Sequence, residues 1–522
     1  MAAAAPAEAY AGLKTELEEI ASLSGIEGLL HWDQASMMPP GAQELRGKQM
    51  AALAGVVHAR KTSVKLGELI AACGGAEADA AALGEGACEF DAANVRRAHE
   101  DYRRASRVPA EMAKREAELS AAGYAAWMKA REENDWPTFS PILKEWIALV
   151  RERCALVWPE LPAYDAALSD YERGLTKERL DEIFPPIRDA VSALVSEVYA
   201  AAEEKGGPVA LGARASVLAG EFDADKQAAL SKEVALAMGF DEKFGRLDVS
   251  AHPFTGGAGP QDTRMTTRYK SEDLSEGLTG TIHETGHALY EQGRNAKYTG
   301  QPVSAAHSMG IHESQSLLWE RMVALSPQFS EFLLPKLAAS FGSHFDGVTP
   351  EQLHASFNLV KRPSLIRVEA DELTYPLHVI LRYELECGLM DGSIEVDDLP
   401  KLWNEKMEAM LGCVPESDSK GVLQDVHWSA GAIGYFPTYL LGAAYACQIF
   451  DYARSQLPGL EEELVKGEFS RLREWLRTNV HELGSKFDTA DELLIAVTGE
   501  PLKPDAFIGY LTTKYRALYG LS

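Results

Sequence analysis

The sequence predicts a mainly α-helical fold with one small β-sheet beside a histidine-bearing helix. Three observations carry that prediction. Apolar residues recur at three- and four-residue spacing through most of the 522 residues, the period of one helix face. A single stretch, residues 252–269, breaks the period with turn residues followed by alternating, threonine-rich sequence. No linker, internal repeat or long low-complexity tract divides the chain. Length alone would allow three or four domains, yet residues 1–522 read as one unit.

The opening segment, Ala7 to Leu30, has the helical period. From Glu89 to Glu133 run long charged helices, with Lys, Arg and Glu on solvated faces, and Asn134-Asp135-Trp136-Pro137 ends them. Phe139 to Tyr171 and Leu175 to Glu204 are further helices. His252 to Pro260 is a turn-rich loop, and Asp262 to Tyr269 a short strand. That strand is either an ordinary patch or an edge able to pair with an extended peptide. A helix then starts at Ser275 or Thr279, buries Leu278, Ile282 and Leu289, and stops at Gly293. Ile311 to Glu320 reads as a second helix. The charge-free stretch Ser429 to Phe450 is long enough to span a bilayer, but Pro437, Thr438, Gln448 and its glycines mark a buried helix instead.

The chain carries 51 Lys and Arg against 78 Asp and Glu, a net charge of −27. Nucleic acid, whose phosphates need basic side chains, and an anionic membrane surface are excluded as partners. Met1 to Pro6 lacks the basic start of a signal peptide. Six cysteines are scattered without metal-ligand spacing, which fits a reducing, cytoplasmic setting.

Chemistry enters at His283-Glu284-Thr285-Gly286-His287. Two histidines four apart share a helix face and can reach one zinc ion, while Glu284 points to the open side, where a water would sit. That arrangement suits amide hydrolysis. A catalytic zinc needs a third protein ligand. A histidine six residues after His287 would give one large peptidase class, but that position holds Gly293. Glu291 overshoots along the same helix. Glu313 leads by spacing, with His307 and His312 as alternatives. Glu313 and Glu320 are seven apart on one face, so one can bind the metal while the other orients a histidine.

The pentad does not stand alone. His252-Pro253-Phe254, Asp262-Thr263-Arg264-Met265-Thr266, His312-Glu313-Ser314-Gln315, Ile366-Arg367-Val368-Glu369-Ala370-Asp371 and Gly434-Tyr435-Phe436-Pro437-Thr438-Tyr439 follow in order. Leu30 to Gln34 and Met37 to Gly41 add N-terminal matches. With these motifs the chain resembles the carboxypeptidase Taq family of zinc metallocarboxypeptidases over nearly its whole length.

The resemblance implies a saddle-shaped helical unit with a deep central groove, usually a homodimer. It implies removal of single residues from peptide C-termini, with broad tolerance and poor cleavage next to proline. His283, His287 and Glu313 become the metal ligands for one Zn2+ per subunit, with Co2+ or another divalent ion acceptable to the same donors. Glu284 becomes the base that activates the metal's water. Tyr435 or Tyr439 becomes the oxyanion donor, unless both tyrosines only pack. Arg264 and Arg367 are selected to hold the substrate carboxylate, a bidentate task suited to arginine. Arg367 could instead pair with Asp371 at i+4. His252 adds a contact or helps close one end of the groove. A groove open at both ends would make an oligopeptidase or dipeptidyl carboxypeptidase of the same chemistry. A helical scaffold with a structural metal would have a closed four-ligand site and no need of Glu284.

Overall fold

The structure is a computed structural model that describes residues 6–204 and 216–521. About 70% of the chain is helical, and the only named sheet among the described residues has three strands. The chain gathers into two compact units, each discontinuous in sequence.

The first unit comprises Met1–Arg107, Leu218–Gly347 and Tyr452–Asp488. Its first helix runs Pro6–Ser36, longer at both ends than the period alone marks. Leu13, Leu17 and Ile20 from this helix meet Leu66, Ile70, Val95 and Ala98 in a buried cluster. The sheet lies in the same unit, as β1 (Gly245–Val249), β2 (Thr255–Gly259) and β3 (Asp262–Thr267), in the order β1-β3-β2. β1 is parallel to β3 and β2 antiparallel.

Two expectations are corrected here. The segment read as a turn-rich loop contains β2. Its glycines suit a bulge at Gly257/Gly259, because Gly257 sits at φ 120° with the Asp262 carbonyl where a Cβ would go. Of the two readings of the following strand, an ordinary patch or a peptide-pairing edge, the edge is excluded: the strand is β3, the central one, and both of its sides are already paired.

The helix that carries the pentad runs Leu274–Gln292 and packs against β3. Its start is fixed by Asp273, an extended residue whose carboxylate accepts from the Ser275 backbone N–H at 2.8 Å and its hydroxyl at 2.6 Å. Neither Ser275 nor Thr279 is the cap. Leu278, Ile282 and Leu289 are buried, as their spacing requires. The helix does end at Gly293, but at φ −88°. The glycine is needed for space rather than handedness, since a Cβ there would lie 2.4 Å from His481 Nδ1. The next helix, Met309–Leu317, runs into a π-helical stretch, Leu318–Ala324.

The second unit comprises Val108–Val217, Val348–Asp451 and Thr489–Ser522. Helix Tyr375–Asp391 is buried on nearly every side, and Pro504–Tyr519 packs along Lys177–Glu204. The segment expected to be helical from Phe139 to Tyr171 breaks into Trp136–Val157 and Ala163–Leu168 at Pro159 and Pro162. The charge-free stretch forms helix Pro437–Gln456, with residues 440–450 buried. Among the described residues, no helix is long and apolar enough to cross a membrane.

Candidate active site

His283, His287 and Glu313 meet in the first unit. One ligand atom from each lies within 4.8 Å of the other two. Glu313 Oε2 is 3.7 Å from His283 Nε2 and 3.4 Å from His287 Nε2. Two ligands bound at roughly 2.0–2.1 Å on a tetrahedral ion sit about 3.3 Å apart, so the donor set fits a zinc-sized cation. Close helix packing makes this possible. Gly286 has no side chain where a Cβ would come 2.6 Å from the Gln315 carbonyl and the Ser316 Cα. The Glu313 helix therefore crosses the pentad helix backbone to backbone.

Each histidine is held from behind. His283 Nδ1 lies 2.8 Å from Glu320 Oε2, a carboxylate delivered by the π-helical stretch. His287 Nδ1 lies 2.6 Å from His312 Nδ1, and His312 Nε2 lies 3.1 Å from Glu291 Oε1. His312 and Glu291 thus stand behind a candidate ligand instead of joining the cluster. Ser316 donates to Glu313 Oε2 at 3.2 Å.

The carboxylates dominate the local field. Burial pushes His283 down, but Glu313, Glu320 and Glu284 outweigh it and hold its pKa up at about 10. Glu313 is pushed up by burial yet held at about 2 by His283 and His287. His287 is lowered by burial and by the neighbouring histidines. Glu284 is buried beside the cluster, and Thr255 Oγ1 on β2 donates to its Oε2 at 2.6 Å. That bond fixes the carboxylate without using its second oxygen.

Of the other sequence-selected residues in this unit, Arg264 lies on β3. Met265 and Thr267 contact the pentad helix through Thr285 and Thr281. Arg264 alternates to the opposite face of the strand. Its guanidinium is 4.3 Å from the Trp32 ring centre, and it donates to both Asp262 oxygens at 2.8 and 3.0 Å. His252 is exposed, and its carbonyl accepts from Ser250 Oγ at 2.6 Å.

Arg367, Tyr435 and Tyr439 belong to the second unit. Arg367 is buried and does not pair with Asp371. Residues 367–369 form a 3-10 turn, and Asp371 instead accepts backbone N–H groups of Lys361, Leu373 and Thr374. Arg367 Nε donates to Asp425 Oδ1 at 2.9 Å, and Nη1 donates to the Tyr375 hydroxyl at 3.0 Å. The other Asp425 oxygen accepts from Arg382 at 2.6 Å. One buried carboxylate therefore serves two guanidiniums, which hold it well below the usual range after burial has raised it. Tyr435 and Tyr439 are half-buried, with ring centres 5.3 Å apart. Tyr439 Oη is 3.3 Å from His427 Nε2, and burial pushes His427 down to about 4.

Sequence reading did not find Thr255, Asp425, Arg382 or His427 as partners. Their signal is three-dimensional: Thr255 and Glu284 are 29 residues apart and Asp425 and Arg367 are 58 apart, beyond any local pattern.

Comparison with known proteins identifies the family. The carboxypeptidase Taq (M32) metallopeptidase family model matches residues 12–515. Thermostable carboxypeptidase 1 of Thermus thermophilus is 38% identical over 524 residues, covering 99% of this chain and all of that protein. Carboxypeptidase 1 of Bacillus subtilis is 35% identical over 505 residues, covering 96% and 97%. Among solved structures, the M32 carboxypeptidase of Deinococcus radiodurans superposes with a TM-score of 0.91 at 36% identity, covering 98% of this chain and 100% of that one. Trypanosoma cruzi metallocarboxypeptidase 1 gives 0.91 at 38%, covering 98% and 99%. The donor cluster and the full-length matches together make this chain a metallocarboxypeptidase of the carboxypeptidase Taq (M32) family.

Proposed function

We propose that the chain is a zinc-dependent exopeptidase that removes single amino acids from peptide C-termini with broad side-chain tolerance. The observation that carries it is three donor atoms at zinc spacing with a buried, anchored carboxylate, Glu284, next to the first of them in the pentad helix. Zinc, when bound, polarises the scissile carbonyl and acidifies water. His283, His287 and Glu313 hold the ion. Glu284 takes the proton of the attacking water and delivers it to the leaving amine. Tyr435 or Tyr439 donates to the developing oxyanion, an assignment that rests on the family resemblance.

For the substrate carboxylate we assign Arg367 ahead of Arg264. Arg264 is neutralised by both oxygens of its own Asp262. Arg367 and Arg382 together face one Asp425, so their cluster carries one uncompensated positive charge. Arg367 Nη2 has no hydrogen bond among the described residues, and a carboxylate can satisfy both the charge and this donor. His252 contributes at the substrate's exposed end. A cytoplasmic homodimer, each chain acting as one peptidase domain, belongs to the same proposal through the resemblance.

The test uses the metal-free protein reloaded with zinc or cobalt and an N-blocked tripeptide. Release of the last amino acid alone is expected, and amidating that end should stop it. Release of dipeptides would identify a dipeptidyl carboxypeptidase instead, and equal cleavage of amidated peptide would overturn the carboxylate anchor. Glu284→Gln should keep its metal and lose turnover by roughly 10²–10⁴-fold or more.

A further inference from the structure

We propose that Arg294, Glu291 and His312 form a relay that sets which nitrogen of His287 carries the proton, and so leaves the other bare for the metal. The inference rests on the reading that His283, His287 and Glu313 hold the ion.

The relay is continuous. Arg294 Nε donates to the Ser304 carbonyl at 2.6 Å, and its Nη1 donates to Glu291 Oε2 at 2.7 Å. Glu291 Oε1 faces His312 Nε2 at 3.1 Å, and His312 Nδ1 faces His287 Nδ1 at 2.6 Å. Each proton follows from the one before. Arginine can only donate and a carboxylate only accept. His312 Nε2 must therefore carry a hydrogen, and where that is the ring's one hydrogen, its Nδ1 is an acceptor. Two ring nitrogens 2.6 Å apart need one hydrogen between them, so it sits on His287 Nδ1. His287 Nε2, 3.4 Å from Glu313 Oε2, then presents its lone pair to the donor cluster. Turning the relay round would put a hydrogen on His287 Nε2 and block that position. His312 is thus a positioning residue, and Arg294 sets the direction.

The sharp variant is Glu291→Gln. Arg294 still demands an oxygen, so the amide nitrogen turns to His312 and donates to its Nε2. His312 then donates from Nδ1, and His287 is left with its hydrogen on Nε2. Metal affinity of the full-length protein is measured by chelator competition, with folding followed by circular dichroism. His312→Phe should weaken metal binding about 10–100-fold, and Glu291→Gln by at least as much. In the His312→Phe background, Glu291→Gln should add less than about twofold, because the path is already cut. Wild-type affinity in both single variants overturns the relay. So does an equal effect of Glu291→Gln with and without His312. If His312→Phe fails to fold, nitrogen-15 spectra of histidine-labelled, metal-loaded wild type give the second reading. A proton on His287 Nδ1 is expected, and a bare Nδ1 overturns the proposal. His287→Ala is the control: if it keeps wild-type metal affinity, the ligand assignment has failed and not the relay.

Discussion

At the scale of single residues, the site separates groups that face the ion from groups that hold them. Glu320 and His312 occupy the inner nitrogens of the two histidines, so only the Nε2 atoms remain toward Glu313. Thr255 does the same for Glu284, fixing Oε2 at 2.6 Å and leaving Oε1 for a proton. A base held by one hydroxyl depends on it for direction, since a hydrogen bond to a charged group contributes about 1.5–3 kcal/mol. Thr255→Val should therefore lower kcat by about tenfold, equivalent to ~1.4 kcal/mol in the barrier. Metal content should not change, because Thr255 touches no ligand. Thr255→Ser, which keeps the hydroxyl, should recover most of the rate. An unchanged kcat in the valine variant would show that Glu284 is oriented by something else.

At the scale of elements, the site depends on how closely two helices approach. Gly286 lies between the two histidines, and a Cβ there would meet backbone atoms at 2.6 Å that cannot rotate away. Gly286→Ala should push helix Met309–Leu317 outward, costing about 1–3 kcal/mol in stability. It should weaken metal binding more than it lowers the unfolding midpoint, because Glu313 moves with that helix. Chelator competition and thermal unfolding on the same sample compare the two; full metal affinity would mean that the crossing can relax without cost. This element also marks what the sequence made legible. The pentad helix, its buried Leu278 and Ile282, and its end at Gly293 follow from local spacing. So does the pair Glu313 and Glu320, whose shared face brings both carboxylates to His283. Three things were not legible. β2 was hidden because its glycines signal turns, whereas here they fit a bulged strand. The cap at Asp273 was missed for the nearer Ser275, which donates to it. Partners such as Asp425 for Arg367 come from distant segments and leave no period to read.

At the scale of the whole molecule, burial holds three histidines neutral: the buried His378 and half-buried His427 in one unit and the buried His481 in the other. Burial pushes His427 to about 4 and His481 to about 3, and it drives His378 well down. Unfolded, each would take a proton near pH 6.5. Their contribution to stability is therefore complete above about pH 6.5 and lost as the pH falls through the folded values. Glu386 acts with the opposite sign. Burial raises it to about 7, so its proton is bound first in the folded state, and it favours folding as the pH drops from 7 to 4.5. Against three protons taken up by the unfolded chain, Glu386 offsets one. The net of two gives a loss of up to about 3 kcal/mol per pH unit between 6 and 5. Urea midpoints of the metal-loaded protein should hold steady above pH 7 and fall steeply below 6. His481→Gln tests the assignment, because its amide can still donate to Gln315, which His481 Nε2 meets at 3.0 Å, but it takes up no proton. The variant should flatten the slope below pH 6 by up to half of the net effect. An unchanged slope would remove His481 from the acid response and leave it to His378 and His427.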